Sequence, residues 1–298
     1  MGGSRSNGAR AHAGTTPYAG LCGATPRASL RRALASEVAR LQHSPLVALH
    51  LLLACALGVA AGWYFGTTPW DSRLACDAFV QLLGAAAPLL VGLACGLSVD
   101  AEREAGDCAN LLGVPSRARA LLAKALVLLA LGVAAAVLAV GIFAAIMAAC
   151  GRVLVSPVAL VCAVLGTGVG AAALYLLALG VALMWGRNAA IAVGAASLVV
   201  ALMSIGGLAN GLVTGTLSGG MTSGLAWLPL LWPVRLASLP VELAIAGTDA
   251  VAQGAAVAPG LAASLAATLA SCAGITVLLA IVVCWAINRF EDRRRAAA

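Results

Sequence analysis

Six stretches of about 20 or more residues run through the chain without a single Asp, Glu, Lys or Arg: 45–65, 78–99, 125–149, 158–185, 189–208 and 261–287. A helix rises 1.5 Å per residue, so each stretch is long enough to cross roughly 30 Å of hydrocarbon. None keeps a polar face, which a helix packed on the core of a water-soluble protein would need. The pattern predicts an all-α integral membrane protein with six transmembrane helices.

The intervening segments differ in kind. Residues 1–28 are mostly Gly, Ser, Ala and Arg and read as a disordered tail. The first apolar run starts only at Pro45, too far along for a secretory signal. In 29–43, Ser29 can cap a helix whose Leu30, Leu34, Val38 and Leu41 recur at helical spacing, while Arg31, Arg32 and His43 fall on other sides. Such a helix just ahead of a span lies along a membrane surface. Segment 100–124 carries four acids and four bases, more than a plain connector requires. It reads as two helices broken at Gly113-Val-Pro115, with Ser116 capping the second, which runs through Lys124 into the third span. Segment 209–260 begins rich in Gly, Ser and Thr and continues as Trp227-Leu-Pro-Leu-Leu-Trp232-Pro233. There Pro229, Pro233 and Pro240 argue against a continuous spanning helix and for a re-entrant or interfacial element. A structural lid and a substrate-contacting gate both fit it.

Basic residues orient the spans. With both termini cytoplasmic, the inner segments hold 15 of the 18 Lys and Arg residues, and the outer ones hold only Arg73, Arg152 and Arg235. Residues 289–298 then form a basic cytoplasmic tail. Trp63, Trp70, Trp227 and Trp232 are expected at the outer interface, and Trp185 and Trp285 at the inner one.

Composition agrees: 62% of residues are hydrophobic and 10% charged, against about 25% charged in soluble proteins. The net charge of +7 does not indicate nucleic-acid binding, because the basic residues flank spans and form no patch interleaved with aromatics. Abundant Ala, Gly, Val and Arg beside a lone lysine, Lys124, point to a bacterial genome rich in G and C. Of nine cysteines, Cys55, Cys95, Cys162, Cys272 and Cys284 fall in apolar runs, where they act as small hydrophobes. Cys76 and Cys150 lie near the same predicted face, and a disulfide between them is compatible with that topology.

The chemistry of an enzyme is missing from the sequence. There is no GxxxxGK[ST] loop for ATP, no Cys/His metal spacing, and no Ser/His, Cys/His or paired-carboxylate set within a span. No metal site or catalytic residue is expected. Apart from thiols and phenols, His50 is the only titratable group in a predicted span, close enough to the inner end to snorkel. Four GxxxG pairs (Gly58/Gly62, Gly92/Gly96, Gly166/Gly170 and Gly207/Gly211) are no more than chance gives among 34 glycines.

Three motifs carry a resemblance: Leu34-Ala-Ser-Glu37-Val-Ala-Arg40, then Glu102-Arg-Glu104-Ala-Gly106-Asp-Cys-Ala-Asn110-Leu-Leu-Gly-Val-Pro115-Ser-Arg117, then Leu121-Leu-Ala-Lys124. With the order of elements, they make 30–289 resemble the permease subunit of ABC-2 type exporters, with their type V exporter-like fold. It is most similar to permeases of lantibiotic-immunity (bacteriocin self-protection) ABC transporters. The resemblance implies that Glu102, Arg103, Glu104, Asp107, Asn110, Pro115, Ser116, Arg117 and Arg119 form the element seated in the ATPase. It implies that Leu30, Leu34, Glu37, Val38 and Leu41 belong to the connecting helix. Trp227, Trp232 and Pro233 are the external gate candidates. The implied assembly has two ATPase subunits using ATP and Mg, and a second permease, identical or related, in a bacterial plasma membrane. The implied cargo is a cationic amphipathic peptide. A drug, lipid or polysaccharide cargo, or a non-transporting membrane enzyme or scaffold, are the alternatives.

Overall fold

Short polar residues set where the helices start. Ser29, Ser44 and Ser156 each accept a backbone N–H from the first turn that follows, and Asp71 accepts two, from Arg73 and Leu74. Pro45 and Pro157 follow two of these caps, in the first turn, where a missing N–H costs nothing. The computed structural model describes residues 29–106, 108, 111, 116–204, 217, 227–248 and 254–295. Among them are eight α-helices and no strand: α1 Leu30–Gln42, α2 Pro45–Thr67, α3 Ser72–Glu104, α4 Arg117–Ala149, α5 Pro157–Trp185, α6 Arg187–Ser204, α7 Trp232–Ala246 and α8 Gly254–Arg295. Ser116 occupies the cap position of α4 but makes no side-chain cap bond, contrary to expectation.

Six helical segments are long and apolar enough to cross a membrane. Five of them contain or overlap the expected stretches; the fifth in order does not. It is Pro229–Ala246, whereas 187–203 forms a shorter apolar helix. The three prolines do not break this segment as anticipated. Pro229 opens a 3-10 turn, Pro229–Leu231, and Pro233 lies in the first turn of α7, both tolerated positions. Pro240 lies inside α7 and leaves the Leu236 carbonyl without its helical N–H. That carbonyl is packed directly on Gly166 of α5.

Glycines place the helices. A side chain on Gly58 or Gly62 would strike Ala139, Ile142 and Ile146, so α2 lies against α4. One on Gly92 or Gly96 would strike Ala190 and Arg187, so α3 lies against α6. Gly166 and Gly170 receive the backbone of Leu236, Trp232 and Pro233, and Gly84 that of Pro233 and Val234, so α7 is wedged between α5 and α3. Three of the four GxxxG pairs are therefore helix seams rather than chance; Gly207/Gly211 lies outside the described residues.

Gly170 is near the middle of α5, about 20 Å from its first residue. Trp232 thus starts α7 at mid-depth, fully buried, and the helix climbs back towards the Ser72 end of α3, where Ser238 meets Asp77. This replaces the interfacial position expected for Trp232. Trp63, Trp185 and Trp285 remain more than half exposed. So do apolar residues such as Leu52, Val158, Val277 and Ile281, as a lipid-facing surface requires. Cys76 is buried, Cys150 is exposed with its sulfur packed on Gly66, and neither is in a disulfide.

The seam at Gly166 yields opposite signs for two small substitutions. Gly166→Ala puts a methyl onto the Leu236 backbone and should cost about 2 kcal/mol through overpacking. Gly141→Ala meets nothing within 4 Å and should gain a few tenths to about 1 kcal/mol of helix propensity. Thermal unfolding of the purified variants in detergent measures both, and the same sign for the two would contradict the packing described.

Candidate functional site

The last turn of α3 gathers the ends of four other helices. Glu102 is buried, and its Oε1 accepts from Arg40 of α1 at 2.6 Å and from Lys124 of α4 at 3.1 Å. Lys124 also reaches Glu37 of α1 at 2.9 Å and the hydroxyl of Ser98 at 3.2 Å. Arg40 returns to Glu37 at 3.1 Å. Two acids and two bases thus close a neutral ring, with Glu37, Glu102 and Lys124 each less than a tenth exposed. Coulomb attraction in such a place is strong, but only the full set offsets the cost of removing each charge from water.

Arg103, the next residue, points the other way. Its Nη2 donates to the carbonyls of Ala182 and Leu183 at 3.0 and 2.8 Å, in the last turn of α5. The Ala182 carbonyl also accepts from the Gly186 N–H at 3.0 Å, and the end of a helix dipole favours a cation. One turn earlier, Asp100 pairs with Arg187 at 2.7 Å at the start of α6. Gly186, at φ 94°, makes the sharp corner that brings α5 and α6 to this point.

The predicted docking residues therefore divide. Glu102 and Arg103 are turned inward onto the chain's own helices. Glu104 and Arg119 are exposed, Arg117 and Ser116 are half-buried, and Asp107, Asn110 and Pro115 lie outside the described residues. Beyond α3 the backbone of Cys108 bonds to Glu102 O, and Cys108 and Leu111 are buried beside Leu121 and Val99. In α1 it is Glu37 that is buried, while Leu30 and Val38 are 43% exposed. Leu34 and Leu41 are half-buried, Leu41 against the core around Leu121, so Leu30 and Val38 are the members of the stripe left to face something other than protein.

A second polar node lies at the opposite end of α3. Asp77 accepts from Ser238 at 2.6 Å and from Gln81 at 2.7 Å, and Gln81 also donates to Ser238 at 3.3 Å. Glu242, wholly buried one turn beyond Ser238, lies in electrostatic range of Asp77 and of Arg235. These groups correct the expectation that His50 alone is titratable among the spans. Helix α3 begins before the apolar run, and α7 buries its polar side on it. Asp77 and Gln81 are four apart, as are Ser238 and Glu242, so each pair shares a helix face and could have been matched. Of the external gate candidates, Trp227 is 56% exposed, whereas Trp232 and Pro233 are buried at the foot of α7.

The ring of charges ranks two substitutions. Lys124→Met leaves two buried carboxylates facing each other and should cost about 3 kcal/mol. Arg40, with a side chain 40% exposed, should cost about 1 kcal/mol or less as Arg40→Ala. Equal losses in thermal unfolding would show that Lys124 is not the centre of the ring.

A family profile described as "ABC-2 family transporter protein" matches residues 33–204, more than half of the chain. The match takes in most of α1, the charged ring and every helix up to α6, and stops short of α7. No curated protein matches the chain significantly.

Proposed function

The chain belongs to the ABC-2 family of transporter proteins, and from that premise we propose that it serves an ATP-driven exporter that expels a lantibiotic-like cationic peptide. It is a multi-pass membrane permease subunit. ATP and Mg are used by a separate ATPase, in two copies, beside a second permease that is a copy or a relative of this chain.

The orientation follows from charge. The α1 end holds Arg31, Arg32, Arg40, Arg103, Arg117, Arg119, Lys124, Arg187 and Arg289. The opposite end holds Arg73 and Arg152, and Arg235 lies deeper, between the Trp232 and Leu236 contacts of α7 with α5. The α1 end is then cytoplasmic, in a bacterial plasma membrane. Here 100–124 meets the ATPase, with Glu104, Arg117 and Arg119 as its polar docking side chains. Charged contacts of this kind fix register more than they add affinity. Glu102 and Arg103 pass the movement on to α1, α4 and α5.

One observation supports this reading above the rest. The same helix, α3, continuous through Pro88, carries the charged ring at one end and the Asp77 node at the other. It is about 50 Å long. In this reading a push on its cytoplasmic tip is passed along α3 and shears Asp77 from Ser238. That frees α7, with Trp232 and Pro233 at its foot, to move as the outer gate.

Co-expression with its partner ATPase in a peptide-sensitive host, scored against cationic peptides, drugs and lipid-like compounds, tests the cargo. Resistance confined to the peptides is expected; resistance only to another class reassigns the cargo, and none at all favours a non-transporting membrane protein. Glu104→Lys and Arg117→Glu should each lower resistance at least tenfold while the purified permease keeps its unfolding temperature. Full resistance in both variants would remove the docking role from this segment.

A further inference from the structure

We propose that the cavity enclosed by α2, α3, α4 and α5 is a binding site for a neutral, hydroxyl-bearing amphiphile of the membrane. The proposal depends on the membrane reading of the chain and not on the exporter's cargo.

The cavity has a structural cause. The seam at Gly58 and Gly62 draws α2 onto α4, and the seam at Gly92 and Gly96 draws α3 onto α6. Helices α2 and α3 follow each other in the chain but are pulled apart by these contacts. The gap measures about 500 Å³, within the range of small-molecule sites. Its walls are almost wholly apolar, Leu57, Leu90, Val133 and Ala136 among them. Leu53, which also lines it, is 40% exposed, so the cavity opens sideways between helices towards lipid.

Polar chemistry inside is sparse and directional. His50 lines the cavity and is 1% exposed, where snorkelling to the surface was expected. Its Nδ1 is 2.8 Å from the Leu46 carbonyl, which can only accept, so Nδ1 carries the proton. Nε2 is then an acceptor, and it is buried without a hydrogen-bond partner. Thr167 has already given its hydroxyl to Ala163 O at 2.9 Å, and the Tyr175 hydroxyl is packed on Gly132. No Asp, Glu, Lys or Arg lines the space.

These features select the occupant. A buried acceptor with no donor is unfavourable, so a donor belongs opposite Nε2. A phosphate, a carboxylate or a cationic peptide would find no counter-charge here, and a pure hydrocarbon would leave Nε2 unmet. An acyl chain with an uncharged hydroxyl head satisfies both the walls and the imidazole. Its entry is lateral, from the lipid side at Leu53.

The test uses the full chain, without ATPase, in phosphatidylcholine nanodiscs. The probes are a monoacylglycerol with a photoreactive diazirine in its chain and the same molecule with both hydroxyls methylated. Labelling should concentrate on cavity residues of α2 and α3, and the free-hydroxyl probe should label about fivefold more strongly, the worth of one hydrogen bond. His50→Phe should reduce the first probe to the level of the second. Ala136→Trp and Ala87→Trp, on different helices, should each abolish labelling by both while the protein stays monodisperse. Equal labelling of the native chain by the two probes would overturn the proposal. So would a preference that survives His50→Phe, or labelling spread along the lipid face of α8 and unchanged by both tryptophans.

Discussion

A carboxylate held out of water must have its counter-charges supplied by whatever packs around it, and Glu102 makes this a condition on the whole inner end of the bundle. Its oxygen is shared by a cation from α1 and a cation from α4, and Lys124 is shared in turn with Glu37. Neither α3 nor α4 can shift alone without leaving a charge uncompensated, whereas α1 carries an acid and a base that also pair with each other. Arg103 extends the constraint to α5 by holding its last carbonyls. Five residues in sequence, 100–104, therefore combine inward bonds to α1, α4, α5 and α6 with the exposed Glu104. That arrangement makes the end of α3 a junction of four neighbouring helices.

The remainder of the fold is held by packing. Between lipid-facing helices the hydrophobic effect gives little net attraction, because lipid tails are as apolar as leucine; close packing must do the work. The glycine seams supply it pairwise, α2 to α4, α3 to α6 and α5 to α7. Elsewhere α3 meets α4 through the stacked rings of Phe79 and Phe143, 4.1 Å apart. Helix α3 is tied to α7 by Gly84 and by the hydrogen bonds of Asp77, so its two ends serve different partners. Helix α8, with Val277, Leu278, Ile281 and Val282 exposed, is the least committed to the bundle.

Spans without charge were legible in the sequence because hydrocarbon tolerates little else, so 45–65, 125–149 and 158–185 announce themselves. The helix starts at Ser29, Ser44 and Ser156 were equally open to reading, since capping is local chemistry. What escaped was long-range. Pro240 looks like a breaker in one dimension; in three, the carbonyl it leaves over meets the bare Cα of Gly166. Asp77 sits one residue before an apolar run and reads as its flank until α7 is laid against it. His50 lies near an inner end, and only the position of α3 decides that it faces a cavity and not headgroups. Glu102 and Arg103 stand in a charged segment that invites a docking role for every member, although the helix turns those two inward.

The charged ring raises the question of what ions contribute where apolar side chains would pack as well. Well-packed hydrophobic replacements of a buried ion pair are often neutral or stabilising, so stability is a weak reason. Specificity of arrangement is a better one. An apolar contact between α1, α3 and α4 would permit small slips of register at little cost, because dispersion forces are not directional. The ring permits none, since a displacement of a few ångströms separates Lys124 from one of its two carboxylates. A junction of that kind resists gradual deformation and gives way, if at all, in a step. On the proposed coupling role, such a discrete response at Glu102, with α3 also bonded to α7 at Asp77, would transmit a stroke that soft packing would absorb.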